Sequence, residues 1–112
     1  MINNLHQNKC EPCSGNTPKL SFNEISKFLS QINEWSVNDE QEMIFKKFKF
    51  NNFKKALEFS NKIGDIAEKE QHHPVLSVSW GYCLVMIHTH AIKGLSVNDF
   101  ILASKIDKID EV

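Results

Sequence analysis

The chain has 112 residues, 41% hydrophobic and 24% charged, with a formal net charge of -1; this is the length of one domain, able to bury roughly 65% of its unfolded surface without metal or disulfide staples. The hydrophobic fraction excludes a mainly disordered chain, no apolar run is long enough to span a membrane, and the polar stretch Met1 to Lys9 lacks the apolar core of a secretory signal. Near-neutral charge and basic residues that are all lysine argue against a general nucleic-acid binder, since no guanidinium fork is present to grip phosphates. These features lead us to expect a soluble, cytoplasmic protein.

Residues 1–19 are rich in Asn, Gly, Ser and Pro and show no apolar period. They read as an N-terminal arm, extended or partly disordered, ahead of a single domain over residues 20–112. Phe22, Ile25, Leu29 and Ile32 recur at helical spacing behind Ser21, a suitable N-cap, and predict a helix ending near Asn33. Trp35-Ser36-Val37 begins a strand, and Asn38-Asp39 is turn chemistry. Residues 41–50 then alternate, with Ile44, Phe48 and Phe50 on one face, so the two segments form a β-hairpin. The lysines between Lys46 and Lys55 read as a solvated face.

Phe53, Ala56, Leu57, Ser60, Ile63, Gly64 and Ala67 form one stripe on a helix over about 52–70, and the small residues at 60, 64 and 67 suit close approach to a sheet. Pro74 blocks continuation and pushes His73 toward extended geometry. Leu76, Val78 and Trp80 alternate on a third strand, Gly81 supplies a tight turn, and residues 82–90 alternate as a fourth. Ser96-Val97-Asn98-Asp99 has the form of a capping box opening a last helix, with Phe100, Ala103 and Ile106 on its buried side. The fold class is therefore α+β, in the order α-β-β-α-β-β-α, a four-stranded antiparallel sheet with helices packed on one face. The fourth strand is apolar on both faces: Cys83, Val85 and Ile87 on one, Tyr82, Leu84 and Met86 on the other. With no helix left to cover the second face, another subunit is expected there.

The three cysteines, Cys10, Cys13 and Cys83, are an odd count and do not suggest a disulfide framework. Cys10-x-x-Cys13 has zinc or redox spacing but only half the ligands of a structural zinc site. Cys83 lies in an apolar run and reads as core. The histidines carry more. His72-His73-Pro74 ends the long helix and His88-Thr89-His90 ends the last strand; a hairpin of strands three and four brings these ends together. Capping histidines, a metal site built on His88-x-His90, and metal-free acid–base catalysis by imidazoles near pKa ~6.5 are all compatible with this spacing.

Three motifs occur in a fixed order: Glu68-Lys69-Glu70-Gln71-His72-His73-Pro74, then Thr89-His90, then Gly94-Leu95-Ser96-Val97-Asn98-Asp99-Phe100-Ile101-Leu102-Ala103. With Trp35, the segment Phe48 to Phe53 and Cys10-Glu11-Pro12-Cys13, they make the chain resemble the pterin-4a-carbinolamine dehydratases over roughly residues 10 to 107. The resemblance implies a helix-backed antiparallel sheet forming homodimers or homotetramers. It implies dehydration of 4a-hydroxytetrahydropterin to quinonoid dihydropterin, recycling the cofactor of aromatic amino-acid hydroxylases with no metal or other cofactor. By motif position it makes His72 and His90 the catalytic acid–base pair and His73 a substrate contact. Asp99 orients or charges an imidazole, caps the last helix, or does both; Trp35 walls the pterin pocket or simply packs the core. The runner-up is a non-catalytic dimeric protein-binding module, since some family members bind transcription factors; a pure binding module has no need of the three histidines.

Overall fold

The computed structural model describes residues 4–11 and 14–109. Its elements are α1 (Phe22–Leu29), β1 (Ser36–Val37), β2 (Ile44–Lys49), α2 (Phe53–Glu70), β3 (Val75–Ser79), β4 (Tyr82–Ile87) and α3 (Val97–Asp107), with short 3-10 turns at Leu5–Gln7 and His90–Ile92. This is the expected α-β-β-α-β-β-α order. The strands form one antiparallel sheet in the order β1-β2-β4-β3. Both β2 and β3 pair antiparallel with β4, so they run parallel to each other, and α2 carries the chain from one to the other. The β3–β4 hairpin turns at Trp80-Gly81, where Gly81 takes a φ of 86° that a side chain would strain.

Alternation along β4 decides which sheet face is covered. Cys83, Val85 and Ile87 are fully buried together with Ile44 of β2, whereas Tyr82, Leu84 and Met86 are half-exposed on the opposite face. Burial pushes the Cys83 thiol up to about 11, so it is un-ionised at neutral pH. On β2, Phe48 meets Phe59 of α2 at a ring-centroid distance of 4.6 Å, and Phe50, just beyond the strand, meets the same ring at 5.1 Å. Among the described residues no helix is long and apolar enough to cross a membrane.

Several helical details differ from the expectation. The first helix stops at Leu29, not near Asn33, and the residue it buries deepest beside Ile25 is Phe28, stacked on Phe100 at 5.4 Å; Phe22 is 71% exposed. Its start is as expected, with Ser21 and Glu24 closing a reciprocal capping box. On α2 the buried stripe is Ala56, Phe59, Ser60, Ile63, Ala67 and Glu70, while Phe53 and Leu57 lie near its exposed side. The two stripes differ by a small rotation of the helix, and the aromatic partners waiting on β2 select the one containing Phe59. The last strand ends at Ile87 rather than His90, because Thr89 bends away to pair with Gly94 and His90 opens a 3-10 turn.

The largest departure concerns α3. One apolar side was expected, yet Asn98 to Ser104 are buried without interruption, and Ile106 with them. A helix enclosed on all sides needs a neighbour on each. Here α1 and α2 flank it, and residues of the arm supply a further cover: Leu5 is only 3% exposed and belongs to the core cluster. Leu5 and Cys10 thus tie the arm to the core, while Ser14 to Asn16, Pro18 and Lys19 are exposed. Cys13 lies outside the described residues.

Gly64 does not serve close packing as the sequence suggested. A Cβ built there meets nothing within 4 Å, so the glycine only lowers the helix propensity of α2. Gly64→Ala is expected to raise the unfolding free energy by about 0.5–1 kcal/mol, read as a higher urea midpoint at unchanged slope.

Candidate active site

The C-terminal end of α2 is where the site begins. Gln71 closes the helix in the left-handed region (φ 55°, ψ 37°), its backbone N–H donating to Ala67 O. This reversal, followed by Pro74, takes the chain out of the helix and into β3. It leaves His72 7% exposed, with Nε2 2.7 Å from Asp99 Oδ1. The two residues are 27 positions apart. His73 points the other way: it is exposed, and its Nε2 pairs with the Glu68 carboxylate one turn back on α2.

Asp99 is completely buried and joins three segments of chain. From the first turn of α3, its Oδ2 accepts the Ser96 backbone N–H at 2.9 Å and the Thr89 hydroxyl at 2.8 Å, while Oδ1 faces His72. Since Thr89 gives its proton to Asp99, the Ser96 hydroxyl, 2.9 Å from Thr89 Oγ1, donates to Thr89. Thr89 and Ser96 are each 1% exposed. The carboxylate thus caps its own helix and grips the imidazole, the two tasks that the sequence left open.

The register of β3 on β4 places the ends of both stretches side by side, Val75 opposite Met86. A cleft of about 330 Å³ is accordingly lined by Gln71, His72, His73, His88, Thr89, His90 and Ala91. The resemblance assigns no role to His88. It stands past the strand end, with Nε2 3.1 Å from His90 Nδ1 and the two rings edge-on at 4.0 Å. A second hollow of about 330 Å³, lined by Asn38, Glu42, Met43 and Lys93, shares His88 and His90 as its wall. Thr89, too, went without a role in the sequence reading; its place inside the Thr89-His90 motif was the available signal.

Trp35 does not join the cleft. Its indole is buried, packs edge-on to Phe48 at 6.1 Å and donates its N–H to the Asp107 carboxylate at 3.0 Å. Lys46 Nζ completes that contact 2.9 Å from Asp107. Among the described residues no three His, Cys, Asp or Glu side chains are grouped to hold a metal ion.

Known proteins resemble this chain over most of its length. The profile of the family described as pterin 4 alpha carbinolamine dehydratase matches residues 18–109. A Rickettsia canadensis protein provisionally named pterin-4-alpha-carbinolamine dehydratase is 56% identical over 92% of this chain and 94% of its own length. One of the same provisional name from Alkaliphilus metalliredigens is 48% identical over 96% of each chain. Among solved structures, a protein from Brucella melitensis described as a transcriptional coactivator/pterin dehydratase superposes with a TM-score of 0.75 at 29% identity, covering 80% of this chain and 95% of that one.

Electrostatics sort the clustered imidazoles. Burial, then the neighbouring His90, hold the His88 pKa below the ordinary histidine value; His72 adds to this and Asp99 opposes it. Folded His88 therefore binds fewer protons than unfolded His88, and its contribution to stability is lost as pH falls below about 6.5. Ring-resolved NMR titration should give His88 a midpoint below the ordinary histidine value of about 6.5, whereas a midpoint at or above it would contradict the assigned surroundings.

Proposed function

Because the chain belongs to the pterin-4a-carbinolamine dehydratase family, whose members are hydro-lyases, we propose that it removes water from 4a-hydroxytetrahydropterin by acid–base catalysis from His72 and His90. The observation that carries this reading is a cleft lined by both imidazoles, one of them gripped by a buried carboxylate.

The chemistry needs little more. The lone pair on N5 forms the C4a=N5 double bond as the C4a–O bond breaks. A proton reaches the departing hydroxyl, and the N5 proton leaves, so the sum is quinonoid dihydropterin plus water. One group must give a proton and one must take one, which two imidazoles in unlike surroundings can do near neutral pH. Asp99 Oδ1, 2.7 Å from Nε2, fixes the ring of His72, and we assign to His72 the receipt of the N5 proton. His90, at the exposed rim, is then the donor to the hydroxyl. His73, beside them with Glu68, contacts the substrate. The quinonoid dihydropterin so formed would need a two-electron reduction by a separate reductase before it again served aromatic amino-acid hydroxylation in the cytoplasm.

We further infer a homodimer or homotetramer built through the sheet and its edge. The face opposite the helices carries Phe45, Leu84 and Met86, half-buried, and Val75, 47% exposed, with Trp80 71% exposed at the hairpin tip. This apolar patch at one end of the face, bordered by Lys47 and Ser77 beside Leu84, is what a partner would cover.

Two measurements test these readings. Stopped-flow dehydration of 4a-hydroxytetrahydrobiopterin should be accelerated by the wild type and fall by about 10²–10⁴-fold in His72→Ala and in His90→Ala at unchanged folding; wild-type rates equal to buffer would reject the assignment. Light scattering at micromolar concentration should return two or four chain masses, and a strict monomer would refute the oligomer.

A further inference from the structure

Two buried polar side chains next to the site have no task in the reaction above. Glu70, 7% exposed, lies two residues before His72; Asn98, 2% exposed, lies immediately before Asp99. Both hold the same short stretch of the N-terminal arm. The Cys10 backbone N–H donates to Glu70 Oε1 at 2.9 Å. The Glu11 N–H donates to Asn98 Oδ1 at 2.9 Å, and Asn98 Nδ2 donates to Glu11 O at 2.8 Å, a two-bond amide pairing. The Cys10 thiol lies 3.6 Å from Asn98 O. Upstream, Leu5 anchors the arm in the core.

We propose that Cys10-Glu11 is a positioning strap for the catalytic histidine, tying the end of α2 to the start of α3 and so holding the His72–Asp99 contact. The catalytic part of this inference rests on the function proposed above; the structural part does not. His72 and Asp99 belong to elements joined in sequence only through the whole β3–β4 hairpin, so their distance is set by how α2 and α3 pack. Each strap bond lands on the immediate surroundings of one partner. The Glu70 end is charge-assisted: burial works against the ionised carboxyl, but the Cys10 N–H, then Lys105, 3.4 Å away on α3, and Lys9 outweigh it and hold its pKa below the ordinary value. Asn98 has both ends of its amide engaged by Glu11, so the helix start cannot shift without breaking two part-buried bonds.

The strap positions and does not touch substrate, so its loss should lower kcat more than it raises KM. In the full chain we would compare Asn98→Ala, Glu70→Ala, Glu70→Gln and Glu11→Pro, the last removing one strap N–H from the half-exposed arm without touching the core. Expected for Asn98→Ala, Glu70→Ala and Glu11→Pro are a kcat for 4a-hydroxytetrahydrobiopterin dehydration lower by about tenfold or more, a KM within about twofold, and a shifted or broadened His72 Nε2–H signal in ring-resolved NMR. Glu70→Gln keeps an oxygen for the Cys10 N–H and should recover kcat to within about twofold of wild type. Wild-type kcat and an unmoved His72 signal in Glu11→Pro and in whichever core variants fold, with only a lower melting temperature, would overturn the strap. A wild type without dehydratase activity would reject the function instead, and the His72 signal would still decide the strap.

Discussion

One buried carboxylate organises this molecule. Asp99 ends the run of unpaired N–H groups at the start of α3, accepts the hydroxyl of Thr89 as the chain leaves β4, and fixes the ring of His72 as it leaves α2. A charge with no exposure is tolerable only when its oxygens are occupied. The three segments supply the partners that make it so. Removing one member of such a buried cluster typically costs about 3–5 kcal/mol, because the remaining charge is left uncompensated. The same bonds that make the carboxylate tolerable thus place an imidazole, and folding energy and site geometry are one requirement.

The sheet order explains why these stretches meet. With β4 between β2 and β3, the chain must leave β2, cross by α2 and return on the far side of β4. The end of that crossing, at His72, therefore lies beside the end of β4, at His88 to His90. The imidazoles share a cleft because of topology, and their spacing in the sequence carries no hint of distance without it.

What could be read beforehand was local or periodic. Ser21 with Glu24 and Ser96 with Asp99 announce helix starts because the cap is made within four residues. The alternation of Cys83, Val85 and Ile87 announces the covered face because burial repeats every second residue. The obscure features depend on neighbours distant in sequence. Phe53 and Leu57 sit at helical spacing as well as Phe59 does, and only the rings of Phe48 and Phe50 choose between them. The all-round burial of α3 needs an arm whose composition shows no apolar period, yet which contributes Leu5. The surroundings of His88 could not be read because they depend on where β4 stops, and that is set by the Thr89–Gly94 pairing. Trp35 suited a pocket wall or core packing equally until Asp107, 72 positions away, took its N–H.

The central placement of α3 bears on how the chain matures during synthesis. Leu5, Ile25 and Phe28 all bury themselves in a cluster that includes Phe100, Ile101 and Leu102, and these emerge from the ribosome after every strand has been made. Until then the earlier elements lack the residues that complete their core, and His72 lacks the Asp99 carboxylate. An arrest of translation ahead of α3 therefore leaves a chain without Phe100, Ile101 and Leu102, the residues that complete this cluster.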